Sequence, residues 1–287
     1  MLPLAIGTDT GGSIRIPAAF NGVVGLKTST GRYPMDGVFP LSRTLDTLGP
    51  LAHTVADCVL ADAVLRGRSE PEAAPLPVGQ IELVVPANVV FDGIERAVSD
   101  NFERSLERLA KAGAKIMRRP VPQFDTIVEL VATRGNILPA EALHVHWDRV
   151  HGEAAGEMDP HVLKRILMAE KMTAVDLVEV LFERRRLIAE STALVGRGYF
   201  AFPTTPHVAM PIAPLEADMD VFFAANFKTL RNTMLGNFLD WCGVQIPSGR
   251  DADAMPTGFL LSAPHGRDTD VQSAALAIEA LVKGDYQ

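Results

Sequence analysis

Residues 7–20 read Gly-Thr-Asp-Thr-Gly-Gly-Ser-Ile-Arg-Ile-Pro-Ala-Ala-Phe, straight after an apolar run from Leu2 to Ile6. The adjacent glycines Gly11 and Gly12 let the backbone bend sharply and turn successive N–H groups toward one point, where a Cβ would obstruct. Residues 3–8 are therefore expected to form a buried strand that runs into a tight turn, with Ser13 at its end. A serine so placed has neighbours ready to hydrogen-bond an oxyanion. By itself a Gly-Gly-Ser triplet also suits an ordinary loop turn, or an anion-binding nest without chemistry. The lysine that usually follows a phosphate loop does not follow this one.

The chain has 287 residues, of which 47% are apolar. That suffices for a sizeable core in one large domain or at most two. A formal net charge of −8 argues against nucleic acid as the main partner, because phosphate binding needs clustered Lys and Arg. The nearest candidate cluster, Arg184-Arg185-Arg186, is flanked by Glu183 and Glu190 and reads as the solvated face of a helix. Cys58 and Cys242 sit among apolar residues without a Cys-x-x-Cys pair and read as buried, reduced thiols. No secretory signal precedes Asp9 and no apolar stretch approaches a membrane span, so the cytoplasm is the expected compartment.

The pattern along the chain predicts α/β construction. Residues 22–50 read as loop with short strands. Thr54, with Asp57 three positions on, predicts the N-cap of a helix ending before Gly67. A strand is expected over 80–86 and a helix over 94–112, whose Val98, Phe102, Leu106 and Leu109 share one face. Gly113 ends that helix, and residues 114–118 return to strand. The middle, 125–197, reads as helical with breaks near Pro139, Gly152 and Pro160. Strands follow over 199–203 and 258–262, with helices over 222–233 and 269–282 and a proline-rich loop between 203 and 214. No repeat or linker divides the chain, so residues 1–287 are taken as a single domain.

His144, Asp148 and His151 would fall at i, i+4 and i+7 on one helix face, a spacing metal ligands use. Without a His-Glu-x-x-His pattern, an exposed or partly packed helix explains them better, a place in a substrate pocket ranks above a metal site, and no metal is assigned. The methionines Met168, Met172, Met210, Met234 and Met255 read as core or pocket lining. Trp147 and Trp241 could contact a substrate, with packing the default reading.

The order of segments after the turn carries more information than the turn itself. Gly22-Val23-Val24-Gly25-Leu26-Lys27-Thr28, Gly31-Arg32, Gly37-Val38, Pro40-Leu41, Leu45-Asp46, Gly49-Pro50-Leu51-Ala52 and Val55-Ala56-Asp57 follow in series. Together with residues 7–20 they resemble the amidase signature family, serine hydrolases that include bacterial amidases and the glutaminase subunit of tRNA amidotransferases. Pro203-Thr204-Thr205-Pro206, and the stretch from Asn237-Phe238 through Ile246-Pro247-Ser248-Gly249 to Pro256-Thr257-Gly258-Phe259, resemble later parts of the same family. The helical middle hardly matches.

The resemblance implies a mixed sheet covered by helices and cleavage of a carbon–nitrogen bond in a small amide substrate, without a cofactor. Ser13 would be the nucleophile, the backbone amides of Thr10, Gly11, Gly12 and Ser13 the oxyanion hole, and Asp9 and Arg15 the polar supports of the loop. In that family a catalytic lysine and a bridging serine precede the nucleophile strand, and here Met1 stands immediately before it. The resemblance thus implies the C-terminal portion of an amidase, inactive or nearly so by itself. Its exposed edge would be covered by a companion chain or a second copy. Lys27 belongs to the Gly-Leu-Lys segment and is expected to be structural, not the base. A catalytically dead binding or assembly module, a gene remnant, or a glutaminase-like subunit of an amidotransferase are the alternatives.

Overall fold

The computed structural model describes residues 2–284. Strand β1 (Leu4–Thr8) runs through the glycine turn into the short helix α1 (Arg15–Asn21), which Gly22 ends in the left-handed conformation. Then come β2 (Val24–Lys27), β3 (Leu48–Ala52), α2 (Val55–Leu65), β4 (Glu82–Pro86), α3 (Arg96–Lys111) and β5 (Lys115–Arg119). The middle holds α4 (Pro122–Arg134), α5 (Ile137–Val145), α6 (Trp147–His151), α7 (Pro160–Leu167) and the long α8 (Ala174–Val195). The last part comprises β6 (Tyr199–Pro203), α9 (Ala213–Ala217), α10 (Met219–Phe238), β7 (Cys242–Arg250), β8 (Pro256–Ala263) and α11 (Asp268–Lys283).

All eight strands join one mixed sheet in the order β1-β3-β2-β7-β8-β6-β4-β5. The pairs from β1 to β6 along this order are antiparallel, and β6, β4 and β5 are parallel. The parallel pair β4–β5 needs a crossover, which α3 supplies. Strand side chains alternate between faces, and the core divides accordingly. Leu83, Val85, Val244 and Phe259 pack with α2, α3 and α11 on one face. Val84, Phe200, Phe202 and Leu260 pack with α4, α8 and α10 on the other. Trp241 lies in this second layer, stacked on Phe200 with ring centroids 4.1 Å apart. A third, smaller cluster around Leu143, Val150 and Ile166 belongs to α5, α6 and α7.

The α/β reading holds, and the local signals explain most of the elements. The Thr54 side chain accepts a hydrogen bond from the Asp57 amide and caps α2, satisfying a donor the helix cannot. The apolar face of α3 is buried at Val98, Phe102, Leu106 and Leu109.

Three expectations need correction. The strand expected over 3–8 forms over Leu4–Thr8 but is not buried: among the described residues β1 pairs only with β3 at the sheet edge, and Leu4 and Ile6 remain 39% and 47% exposed. The break expected near Pro139 falls a few residues earlier, at Gly135 with φ +99°, and further breaks come at His146 and Met172 besides those near Gly152 and Pro160. Pro139 lies in the first turn of α5, where no intrahelical N–H is required of it. The arginine triplet is not uniformly solvated: Arg186 pairs with Glu183 and Glu190, but Arg184 is half-buried and donates to the Phe238 carbonyl.

Candidate active site

The turn between β1 and α1 is held by buried polar residues. Asp9 is fully buried. Its carboxylate accepts from the Ile14 and Arg15 amides at 3.3 and 3.4 Å, from Arg15 Nε and Nη2 at 3.0 Å each, and from Asn237 Nδ2 at 2.8 Å. Burial raises the carboxyl pKa, but the charge and hydrogen bonds of Arg15 outweigh it and hold the group at about 2. Arg15 also donates to the Thr233 carbonyl and to Asn237 Oδ1, so α10 clamps the turn from the far end of the chain. Two further links tie the turn to the segment before β3. Thr10 Oγ1 donates to Asp46 at 2.6 Å, and Asp9 and Thr47 exchange hydrogen bonds through the Asp9 amide and carbonyl.

This bracing leaves the tip of the turn unsatisfied. The amides of Thr10, Gly11, Gly12 and Ser13 donate to no group among the described residues. Thr10, Gly11 and Gly12 are nevertheless buried, while Ser13 is exposed, and no described group hydrogen-bonds Ser13 Oγ. Consecutive unpaired backbone donors around one exposed hydroxyl can accept an anion or a developing negative charge. The sequence-predicted residues Asp9, Thr10, Gly11, Gly12, Ser13 and Arg15 are therefore all brought to one turn.

Lys27 is buried and donates to the Thr28 and Trp241 carbonyls at 3.0 and 2.8 Å. Burial pulls its ammonium below its usual pKa, and the Arg15 charge acts in the same direction.

Next to the turn opens a cavity of about 460 Å³. Gly11 forms part of its wall, and the side chains of Leu138 and Leu230 lie 3.5 and 3.6 Å from where a Cβ on Gly11 would stand. Met168, Met172 and Met234 line it, as expected for pocket methionines. His144, Asp148 and His151 do not share one helix, because the chain breaks at His146 between α5 and α6. His151 instead contacts Glu170 at 2.9 Å, and His146 contacts the Pro40 carbonyl. Among the described residues no three His, Cys, Asp or Glu side chains gather as a metal would need. Nor is any described helix long and apolar enough to cross a membrane.

The Amidase family profile matches residues 1–271. The chain belongs to the amidase signature family. It is 34% identical to the 2-amino-5-chloromuconic acid deaminase of Comamonas testosteroni, an alignment covering 97% of this chain and 60% of that protein. It is 26% identical to the mandelamide hydrolase of Pseudomonas putida, covering 98% and 59%. It is 27% identical to a glutamyl-tRNA(Gln) amidotransferase subunit of Salinispora tropica, covering 98% and 64%. Among solved structures, a crystal structure of an amidase superposes with a TM-score of 0.83 at 27% identity, covering 97% of this chain and 63% of that one. The chain thus spans about 60% of the length of the curated relatives it matches.

The sequence points to the turn but not to the contacts that anchor it. Asp46 and Asn237 lie within the segments that carry the resemblance, where their hydrogen bonds to the turn are not legible. Thr233, whose Oγ1 donates to the Gly11 carbonyl at 2.7 Å, carried no local signal, because it meets the turn only through the packing of α10.

Proposed function

We propose that residues 1–287 form one amidase-like domain that carries the nucleophile of a serine hydrolase for carbon–nitrogen bonds. The observation that carries this reading is the exposed Ser13 beside four unpaired backbone amides. In the proposed reaction Ser13 Oγ attacks the amide carbonyl carbon and loses its proton to a base. The carbonyl oxygen, now negative, accepts hydrogen bonds from amides of the set Thr10, Gly11, Gly12 and Ser13. The C–N bond then breaks, the nitrogen leaves protonated, and water releases the acyl group from Ser13. Asp9 and Arg15 hold the loop and take no part in proton transfer. The cavity beside Gly11 receives the acyl portion of a small amide. The relatives named hydrolase and deaminase support reaction at a carbon–nitrogen bond.

The base is a separate matter. No described residue hydrogen-bonds Ser13 Oγ, and a serine hydroxyl is a weak nucleophile until a base takes its proton. We therefore infer that this polypeptide alone reacts slowly or not at all, and that full activity draws a base from outside residues 1–287. A longer protein or a companion chain seated on the β1 edge would provide it. The relatives named as amidotransferase subunits support a companion chain.

Labelling of the purified chain by a fluorophosphonate, with Ser13→Ala as control and circular dichroism as a check on folding, tests both parts. Faint or absent labelling of a folded chain is expected. Strong labelling that Ser13→Ala abolishes would overturn the missing base and keep the nucleophile. Strong labelling that survives in Ser13→Ala would remove Ser13 from the mechanism.

A further inference from the structure

The cavity beside the turn is apolar along most of its wall, with Leu138, Ile166, Met168, Met172, Leu230 and Met234 facing it. Its charged residues are few. Asp176 is the one carboxylate in the lining, and it is engaged: Arg134 lies on it at 3.1 Å and the Thr173 amide and hydroxyl donate to it. Arg134 is thereby engaged as well. Two cations remain, Arg165 on α7 and Lys171 after it, and neither has a hydrogen-bond or ion-pair partner among the described residues. Lys171 is exposed, but Arg165 is partly buried, with Ile166 beside it packed into the small cluster of α5, α6 and α7. Burial draws the Arg165 guanidinium below its usual pKa, and no acidic side chain offsets that.

An arginine partly withdrawn from water without a counter-charge loses part of its hydration without compensation, and its planar fork is shaped to take a carboxylate by two parallel hydrogen bonds. An apolar body contacting the methionines and leucines, with one negative end, would satisfy both parts of the cavity. We infer that Arg165 is a specificity-determining residue that binds a carboxylate on the acyl portion of the substrate, so that the preferred substrates are amides of short apolar chains carrying a second, anionic carboxyl group. Lys171 adds positive charge at the rim. The inference rests on the reading of this cavity as the acyl pocket of Ser13.

The probes are adipamic acid, which has an amide at one end and a carboxylate at the other, and the neutral adipamide. Both are titrated calorimetrically into the full chain. Adipamic acid is expected to bind roughly tenfold or more tightly than adipamide, the range of a hydrogen bond to a charged group. Arg165→Met should abolish the preference through weaker binding of adipamic acid, and Arg165→Lys should keep part of it. Circular dichroism checks that each variant folds. Equal binding of the two probes, no binding of either, or a preference that survives in Arg165→Met would overturn the assignment. Calorimetry reads Arg165 whether or not Ser13 is activated. Fluorophosphonate labelling reads Ser13 whether or not Arg165 binds a carboxylate, so the two readings fail separately.

Discussion

At the scale of the residue, Gly12 shows how narrowly the turn is built. Its φ is +133°, a conformation that residues with a Cβ rarely adopt. A Cβ there would also lie 2.3 Å from Thr233 Oγ1 and 2.7 Å from Ile16 Cδ1. Thr233 cannot simply yield, because its hydroxyl holds the Gly11 carbonyl. Gly12→Ala is therefore expected to cost about 2 kcal/mol or more, combining backbone strain with overpacking. Urea unfolding measures it. Adding Thr233→Ala removes only the contact with the hydroxyl, leaves the Ile16 and residue 233 Cβ contacts at 2.7 and 2.8 Å, and gives up the hydrogen bond to Gly11, so the double variant stays below the wild type. A Gly12→Ala chain as stable as the wild type would mean that the turn has another shape.

At the scale of the element, β1 presents a contrast. The strand that leads into the Ser13 turn has β3 on one side and no strand on the other among the described residues. An unpaired strand edge with exposed apolar side chains is a template for pairing with another chain. The double substitution Leu4→Lys, Ile6→Lys should weaken concentration-dependent self-association in sedimentation experiments and leave the circular dichroism spectrum unchanged. Association that persists undiminished would place the contact on another surface.

At the scale of the whole molecule, acid stability follows from the carboxylates buried between distant segments. Asp9 joins the first strand to α10, with a pKa of about 2 against an ordinary value of 3.8. Asp62 on α2 is shifted in the same direction. Burial opposes the shift there, and hydrogen bonds from Arg32 and Tyr33 outweigh it. A carboxylate with a depressed folded pKa contributes stability that is complete above its unfolded value. That contribution is lost as pH falls through the folded one. Asp9 alone should contribute about 2 kcal/mol at neutral pH, disappearing between pH 3.8 and about 2. Urea midpoints across that window should fall steeply for the wild type and less steeply for Asp9→Asn. Equal slopes would mean that Asp9 is not the group responsible.

The local sequence by itself determined the elements whose causes are local. The segment series from Gly7 to Asp57 carried the resemblance to the family. The adjacent glycines with Ser13 dictated the turn, Thr54 the start of α2, and the four apolar residues of α3 its buried face. These signals act over a few residues, through steric limits, capping and side-chain period, and so can be read along the chain. Only the tertiary structure decided which strand lies at the edge. An apolar run such as Leu2 to Ile6 reads the same whether one neighbour pairs with it or two. Likewise only packing brought Asn237 and Thr233 against the turn, more than two hundred residues away in sequence, and left Arg165 without a counter-charge in the cavity that Gly11 also lines. Burial and pairing are properties of what surrounds a residue, and for these positions the surroundings come from distant parts of the chain.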